Sequence, residues 1–277
     1  MKTVTLPCGE HVSAFGLGTW NMGDDRSNRA EEIATLRLGL DSGATLIDTA
    51  EMYGDGRSEE LIAEAIAGRR DEAFLVSKLY PHNASARGAP AACERSLRRL
   101  KTDRIDLYLL HWRGTVPLAE TLQAFVRLQQ AGKIRHYGVS NLDLADMQAL
   151  WQLPGGDGVA TNQLLYNLAR RGIEWDLLPW LRRRRVPLMA YSPLEQARLV
   201  GKRKLAGFAA RHGMTPAQAA LAWLLAQDDV IVIPKTANRA RLKENLGALD
   251  QALTSAQLAE LDRLFPAPKG AVPLEML

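Results

Sequence analysis

Short apolar runs alternate with longer amphipathic stretches along nearly the whole chain, and this alternation predicts the secondary structure. Eight runs read as strands: Phe15–Gly18, Thr45–Asp48, Phe74–Lys78, Ile105–His111, Ile134–Ser140, Val159–Gln163, Pro187–Ser192 and Val230–Lys235. Apolar residues recur at helical spacing over Arg29–Ser42, Ser58–Ala67, Ala89–Leu100, Leu118–Ala131, Leu144–Trp151, Glu174–Arg184 and Arg239–Leu249. Thr215 followed by Pro216 is an N-cap with proline at the first helical position, opening a helix through Ala226. A last helix over Ser255–Phe265 is stopped by Pro266–Lys269, and the segment beyond it is expected to drape over the barrel. Val4–Leu6, turning at Cys8, Gly9 and Glu10, reads as a short opening hairpin. Eight βα units in 277 residues predict an α/β fold, a closed parallel (β/α)8 TIM barrel, with residues 1–277 as one domain.

Composition narrows the function classes. With 47% hydrophobic and 24% charged residues the chain is an ordinary globular one, not a disordered or fibrous one. The start, MKTVTLPCGEHVSAFG, has no apolar core leading to a small-residue cleavage site, and no run approaches the roughly eighteen apolar residues of a membrane span. A cytoplasmic protein with no membrane partner is expected. Two isolated cysteines, Cys8 and Cys93, support neither a disulfide framework nor a thiolate metal site, and no pair of histidines has ligand spacing, so no metal is expected. The net charge of +4 is open to several partners, but the densest basic run, Arg182–Arg185, reads as the solvated cationic end of a helix. No nucleic-acid module or apolar seam is visible, and a monomer acting on small molecules is the expectation.

In such barrels chemistry gathers at the carboxyl ends of the strands. The polar residues closing the apolar runs are Thr19 with Trp20, Asp48, Lys78, His111, Ser140 with Asn141, Gln163, Tyr191 with Ser192, and Lys235 with Thr236. A carboxylate, an ammonium and an imidazole on three successive rims are costly unless paired and used. Tyr53 follows Asp48 by five residues. A free phenol has a pKa of about 10, and a neighbouring ammonium such as that of Lys78 lowers it. Asp48 can keep Lys78 charged and His111 can hydrogen-bond a carbonyl oxygen, so the set suits protonation of an alkoxide as it forms.

The stretches Gly16–Asn21 (GLGTWN), Asp48–Gly54 (DTAEMYG), Ser77–Lys78, Leu109–Trp112 (LLHW), Gly138–Asn141 (GVSN), Asn162–Gln163, Ala190–Leu194 (AYSPL) and Ile233–Thr236 (IPKT) resemble those of the aldo-keto reductases, in order and spacing, over essentially the whole chain. The resemblance is strongest to short bacterial members, among them those described as methylglyoxal reductases. It implies an NADPH-dependent reduction of small aldehydes or ketones, with Tyr53 as general acid, Lys78 and Asp48 as its tuning pair and His111 orienting the carbonyl. It further implies that the nicotinamide stacks on Tyr191, with its carboxamide held by Ser140, Asn141 and Gln163, and that Glu244 and Asn245 contact the adenine.

Gly16–Asn21 lacks the last glycine of a G-x-G-x-x-G fingerprint, which argues against a Rossmann domain. A barrel instead holds phosphates at the loops after its seventh and eighth strands, where Ser192, Pro193 and Leu194 and then Lys235, Thr236 and Arg241 fall. Two cations and a hydroxyl there suit a ribose 2′-phosphate, hence NADP(H). Gly18, Thr19, Trp20 and Asp48 are expected along the same cofactor. Glu195, Gln196 and Ala197 depart from the glycine-containing loop of many members. The short loop Arg113–Pro117 predicts a shallow pocket, walled by Trp20, Met22, Tyr53, His111 and Trp112. Two rival readings remain open on these residues: a Schiff-base lyase with Lys78 as nucleophile, and an NADPH sensor with little turnover.

Overall fold

The computed structural model describes residues 1–277. β1 (Thr3–Thr5) and β2 (His11–Ser13) form the opening antiparallel hairpin, with buried Val4 opposite buried Val12. The eight strands β3 (Gly16–Gly18), β4 (Leu46–Asp48), β5 (Phe74–Leu79), β6 (Ile105–Leu110), β7 (Ile134–Ser140), β8 (Asn162–Leu165), β9 (Leu188–Tyr191) and β10 (Val230–Val232) lie parallel, in chain order, in one sheet. Single parallel bridges from Phe15 to Val232 and from Gly18 to Lys235 join its first and last strands and close the barrel. Every residue of β5 and β6 is buried, as expected of strands covered on both faces by barrel core and helices.

Around the barrel run α1 (Arg29–Asp41), α2 (Arg57–Ala65), α3 (Gly88–Leu100), α4 (Leu118–Gln130), α5 (Leu144–Trp151), α6 (Leu177–Arg183), α7 (Arg203–Arg211), α8 (Pro216–Leu225), α9 (Arg239–Leu246) and α10 (Ser255–Leu264). None is long and apolar enough to cross a membrane. The cap at Thr215 is reciprocal: its hydroxyl accepts from the Gln218 amide, and the Gln218 side chain accepts from the Thr215 N–H. The same device opens α10 at Thr254 and Gln257.

Several expected boundaries move. α7 has no counterpart in the sequence reading, because its cap position is Lys202 and its first turn carries Arg203 and Lys204, the wrong sign for a helix start. It is held by the burial of Leu205, Phe208 and Ala209. α6 begins at Leu177 rather than Glu174, since Asp176 caps it and Glu174 closes a separate 3-10 turn. β8 runs Asn162–Leu165 instead of Val159–Gln163, which places Gln163 inside the barrel and not at a strand tip. β10 stops at Val232, and Pro234 removes the donor that would extend the ladder to Lys235. Arg184, expected in a solvated run, lies over the rings of Trp180 at 4.1 Å and Trp151 at 5.5 Å.

The barrel end opposite the strand tips is held by charge. Asp106, 2% exposed near the start of β6, accepts from Arg70 Nη2 at 2.8 Å, from the Leu75 amide at 2.8 Å and from Arg135 Nη1 at 3.1 Å. Arg135 and His136 also bind Glu10 of the hairpin, tying its turn to β7. Removing one partner of a buried, multiply bonded pair strands the others, so Asp106→Ala is expected to cost about 3 kcal/mol in urea unfolding while leaving ligand binding at the far end unchanged.

Candidate active site

The register pairs Gly18 with Asp48 and Asp48 with Val76, two residues before Lys78. Side chains alternate along a strand, so Asp48 and Lys78 share the inward face. Lys78 Nζ, fully buried, lies 2.8 Å from Asp48 Oδ2, 2.8 Å from the Thr49 carbonyl oxygen and 3.2 Å from the Tyr53 hydroxyl. Its three N–H donors therefore have three acceptors. The other oxygen of Asp48 accepts from Gln163 Nε2 at 2.7 Å, and the Asp48 carbonyl accepts from the Thr19 hydroxyl at 2.8 Å.

Tyr53 stands on the turn between β4 and α2. Gly54, Asp55 and Gly56 take φ of 58°, 53° and 92°, left-handed values that glycine supplies freely at two of the three positions. This reversal turns the Tyr53 ring back over Lys78, with Nζ 4.9 Å from its centroid. His111, just past β6, meets the Tyr53 ring edge-on at 5.9 Å and the Trp112 ring at 4.8 Å.

Burial, the largest single effect, opposes the charge on Lys78, yet Asp48 and Tyr53 together outweigh it and hold the ammonium above its ordinary pKa. Tyr53 corrects the sequence reading. Its phenol is raised, not lowered, because desolvation and the charge of Asp48 exceed the pull of Lys78. Burial first, and Lys78 second, push His111 down to about 2, so its ring is neutral across the physiological range. Its Nδ1 is buried with no hydrogen-bond partner.

Asp48, Tyr53 and His111 face a cavity of about 1030 Å³ that also runs past Ser140, Asn141, Gln163 and Tyr191. These four interlock: the Tyr191 hydroxyl donates to Asn141 Oδ1 at 3.0 Å, Asn141 Nδ2 donates to the His111 carbonyl at 3.1 Å, and the Ser140 hydroxyl donates to the Gln163 carbonyl at 2.8 Å. Gly18, Thr19, Trp20 and Trp112 line the same space, as do Ser192, Pro193 and Leu194. At its far end lie Lys235, Thr236, Arg241, Glu244 and Asn245. Lys235 and Arg241 are exposed and make no ion pair, whereas neighbouring Arg239 is tied to Glu31. Free cations beside a hydroxyl, at the start of α9, form a donor set that fits a phosphate.

One expected wall is wrong. Met22 is fully buried in the hydrophobic core and does not reach the cavity, because the chain turns at Thr19, whose carbonyl accepts from the Met22 amide. Met52, beside Tyr53, lines the cavity instead. Also missed are Gln196, Ala197, Met276 and Leu277. Gln196 and Ala197 were visible only as a departure from a glycine loop, and nothing local marks Met276 or Leu277, which reach the cleft through chain folding alone.

The family model "Aldo/keto reductase family" matches residues 14–265. The methylglyoxal reductase YeaE of Escherichia coli is 52% identical over 271 residues, 96% of this chain and 95% of the relative. DkgB of Salmonella typhimurium, also a methylglyoxal reductase, is 30% identical over 95% of this chain and 98% of its own. Among solved structures, an aldo/keto reductase from Klebsiella pneumoniae in complex with NADP and acetate superposes with a TM-score of 0.97 at 50% identity, covering 100% of this chain and 99% of that one.

The state of His111 has a measurable consequence for stability. Unfolded, its imidazole takes a proton below about pH 6.5 that the folded ring refuses down to about 2, so stability is full above that window and is lost as pH falls through it. In urea titrations from about pH 6 to pH 4, His111→Gln should lose stability less steeply than the wild type, by about 1.4 kcal/mol per pH unit. Equal slopes would show that the folded imidazole takes up the proton normally.

Proposed function

The chain belongs to the aldo/keto reductase family, and from that premise we propose that it reduces small aldehydes and ketones, methylglyoxal among them, to alcohols at the expense of NADPH. The observation that carries this reading is the Lys78 ammonium, fixed by Asp48 and in hydrogen-bond range of the Tyr53 hydroxyl. Bound in the cleft, NADPH supplies the hydride for the carbonyl carbon.

The residues of the chain do the rest. Tyr53 keeps its proton at neutral pH because burial raises its pKa, and it hands that proton to the carbonyl oxygen as charge develops there. Lys78 stabilises the phenolate left behind, and Asp48 keeps Lys78 charged. Neutral His111 is a hydrogen-bond donor that adds no competing positive charge, and so aims the carbonyl oxygen at Tyr53. Tyr191 offers a ring face for the nicotinamide, and Ser140, Asn141 and Gln163 polar atoms for its carboxamide. Lys235, Thr236 and Arg241 suit the 2′-phosphate, with Glu244 and Asn245 beside the adenine, which favours NADPH over NADH. Trp20, Met52 and Trp112 wall the carbonyl end.

A Schiff-base role for Lys78 fits poorly, since its nitrogen is protonated and every N–H is engaged. On this reading residues 1–277 work as a single-domain, cytoplasmic monomer on small molecules, without nucleic acid or membrane.

Tyr53→Phe should lower kcat for methylglyoxal reduction by about a thousandfold, with NADPH affinity kept within about twofold of the wild type. Retained turnover in that variant would remove Tyr53 as the acid. The wild-type rate should be flat through neutral pH and fall on the alkaline side as Tyr53 loses its proton, with no limb from His111. Lys235→Met combined with Arg241→Met should weaken NADPH about a hundredfold and NADH only slightly, measured by quenching of intrinsic tryptophan fluorescence.

A further inference from the structure

The loop Tyr166–Glu174, which follows β8, grips two separate segments that both border the cleft. On one side is the loop after β9. Ser192, Glu195, Gln196 and Ala197 have φ of 47°, 52°, 52° and 68°, left-handed values held without a single glycine. Asn167, fully buried, anchors this loop by donating from Nδ2 to the Ser192 carbonyl at 2.9 Å and to Glu195 Oε2 at 2.8 Å. Arg170 binds the other oxygen of the same carboxylate, Nη2 to Oε1 at 2.9 Å.

On the other side is the segment after α10. Arg171 donates to the Phe265 carbonyl at 2.6 Å and to Asp262 at 2.7 Å. Val272 packs so closely on Gly172 that a Cβ there would lie 2.8 Å from its methyl group. Arg170 Nη1 meets Glu275 at 2.5 Å, and the next two residues, Met276 and Leu277, line the cavity, where the backbone at Leu277 approaches the Tyr191 hydroxyl.

Arg170 is thus bonded to both segments, through Nε and Nη2 to the Glu195 carboxylate and through Nη1 to that of Glu275. We propose that Arg170 is a positioning residue that couples the loop covering the cofactor to the segment 272–277 that closes the carbonyl end of the cleft, so that NADPH binding orders the substrate wall. This rests on the reductase reading above. Ligand contacts to Ser192–Leu194 hold the loop, the loop presents Glu195, and Glu195 fixes Arg170 in the orientation that receives Glu275. Arg170 is the one side chain in the loop that holds a carboxylate of each segment, and through it order in one is passed to the other.

The test is amide hydrogen exchange of the full-length protein with and without NADPH, followed in peptides spanning 266–277. In the wild type NADPH should slow exchange there, and Arg170→Met and Glu275→Gln should each abolish that slowing while leaving Tm within about two degrees. Arg170→Met should also weaken NADPH about fivefold, the scale of one partly exposed ion pair, and Glu275→Gln should raise the KM for methylglyoxal and, because the coupling is reciprocal, weaken NADPH by no more than that factor. NADPH binding that leaves exchange in 266–277 unchanged, or protection that persists in both variants, overturns the coupling alone. A wild type that does not bind NADPH overturns the reductase reading, and the coupling with it.

Discussion

A fully buried ammonium is the constraint from which the rest of the site follows. An isolated charge in a barrel core costs several kcal/mol, and Lys78 is tolerable only because Asp48, the Thr49 carbonyl and the Tyr53 hydroxyl take its three protons. Asp48 is in turn immobilised, one oxygen on Lys78 and the other on Gln163 from the far side of the barrel. β3, β4, β5 and β8 all contribute to holding one proton donor in place. On the proposed reading, the same pair that makes the buried lysine permissible would also stabilise a phenolate, so structural satisfaction and chemistry would share the same bonds.

The two ends of the barrel use charge differently. At the end opposite the cleft, the carboxylates of Asp106 and Glu10 are paired with Arg70, Arg135 and His136. At the cleft, Lys235 and Arg241 stand without carboxylate partners, and His111 keeps a buried ring nitrogen unpaired. Unpaired exposed cations at one end and paired ones at the other distinguish the cleft from the scaffold, on a chain whose net charge of +4 says little.

Between these ends, the loop after β9 carries strain that its own sequence does not relieve. Left-handed conformations at Glu195, Gln196 and Ala197 each disfavour an L-residue, and they persist because Asn167 and Arg170 fix the Glu195 carboxylate from outside the loop. A glycine loop would take the same path without the steric penalty of left-handed φ, at a larger loss of backbone entropy. Here the path depends on contacts, and the contacts lead on to the segment after α10.

The barrel was legible in the chain because its signals are local: apolar runs of strand length, amphipathic stretches between them, and caps such as Thr215 with Pro216. The convergence of Asp48, Lys78, Tyr53 and His111 was legible too, since the residues at the tips of successive parallel strands must meet at one mouth. What escaped were features with no local mark. α7 forms against the dipole preference of its own first turn because Leu205 and Phe208 are buried, and Met22 leaves the cleft for the core because of a turn at Thr19. The direction of the Tyr53 pKa shift was misread for a related reason: a neighbouring ammonium can be inferred from strand order, but the depth of burial that outweighs it cannot. Arg170 between Glu195 and Glu275, separated by 80 residues of chain, is likewise a product of folding alone. Periodicity and strand order constrain neighbours along the chain and across adjacent strands, while desolvation, strain and ion pairing depend on everything that packs around a group, which only the closed barrel decides.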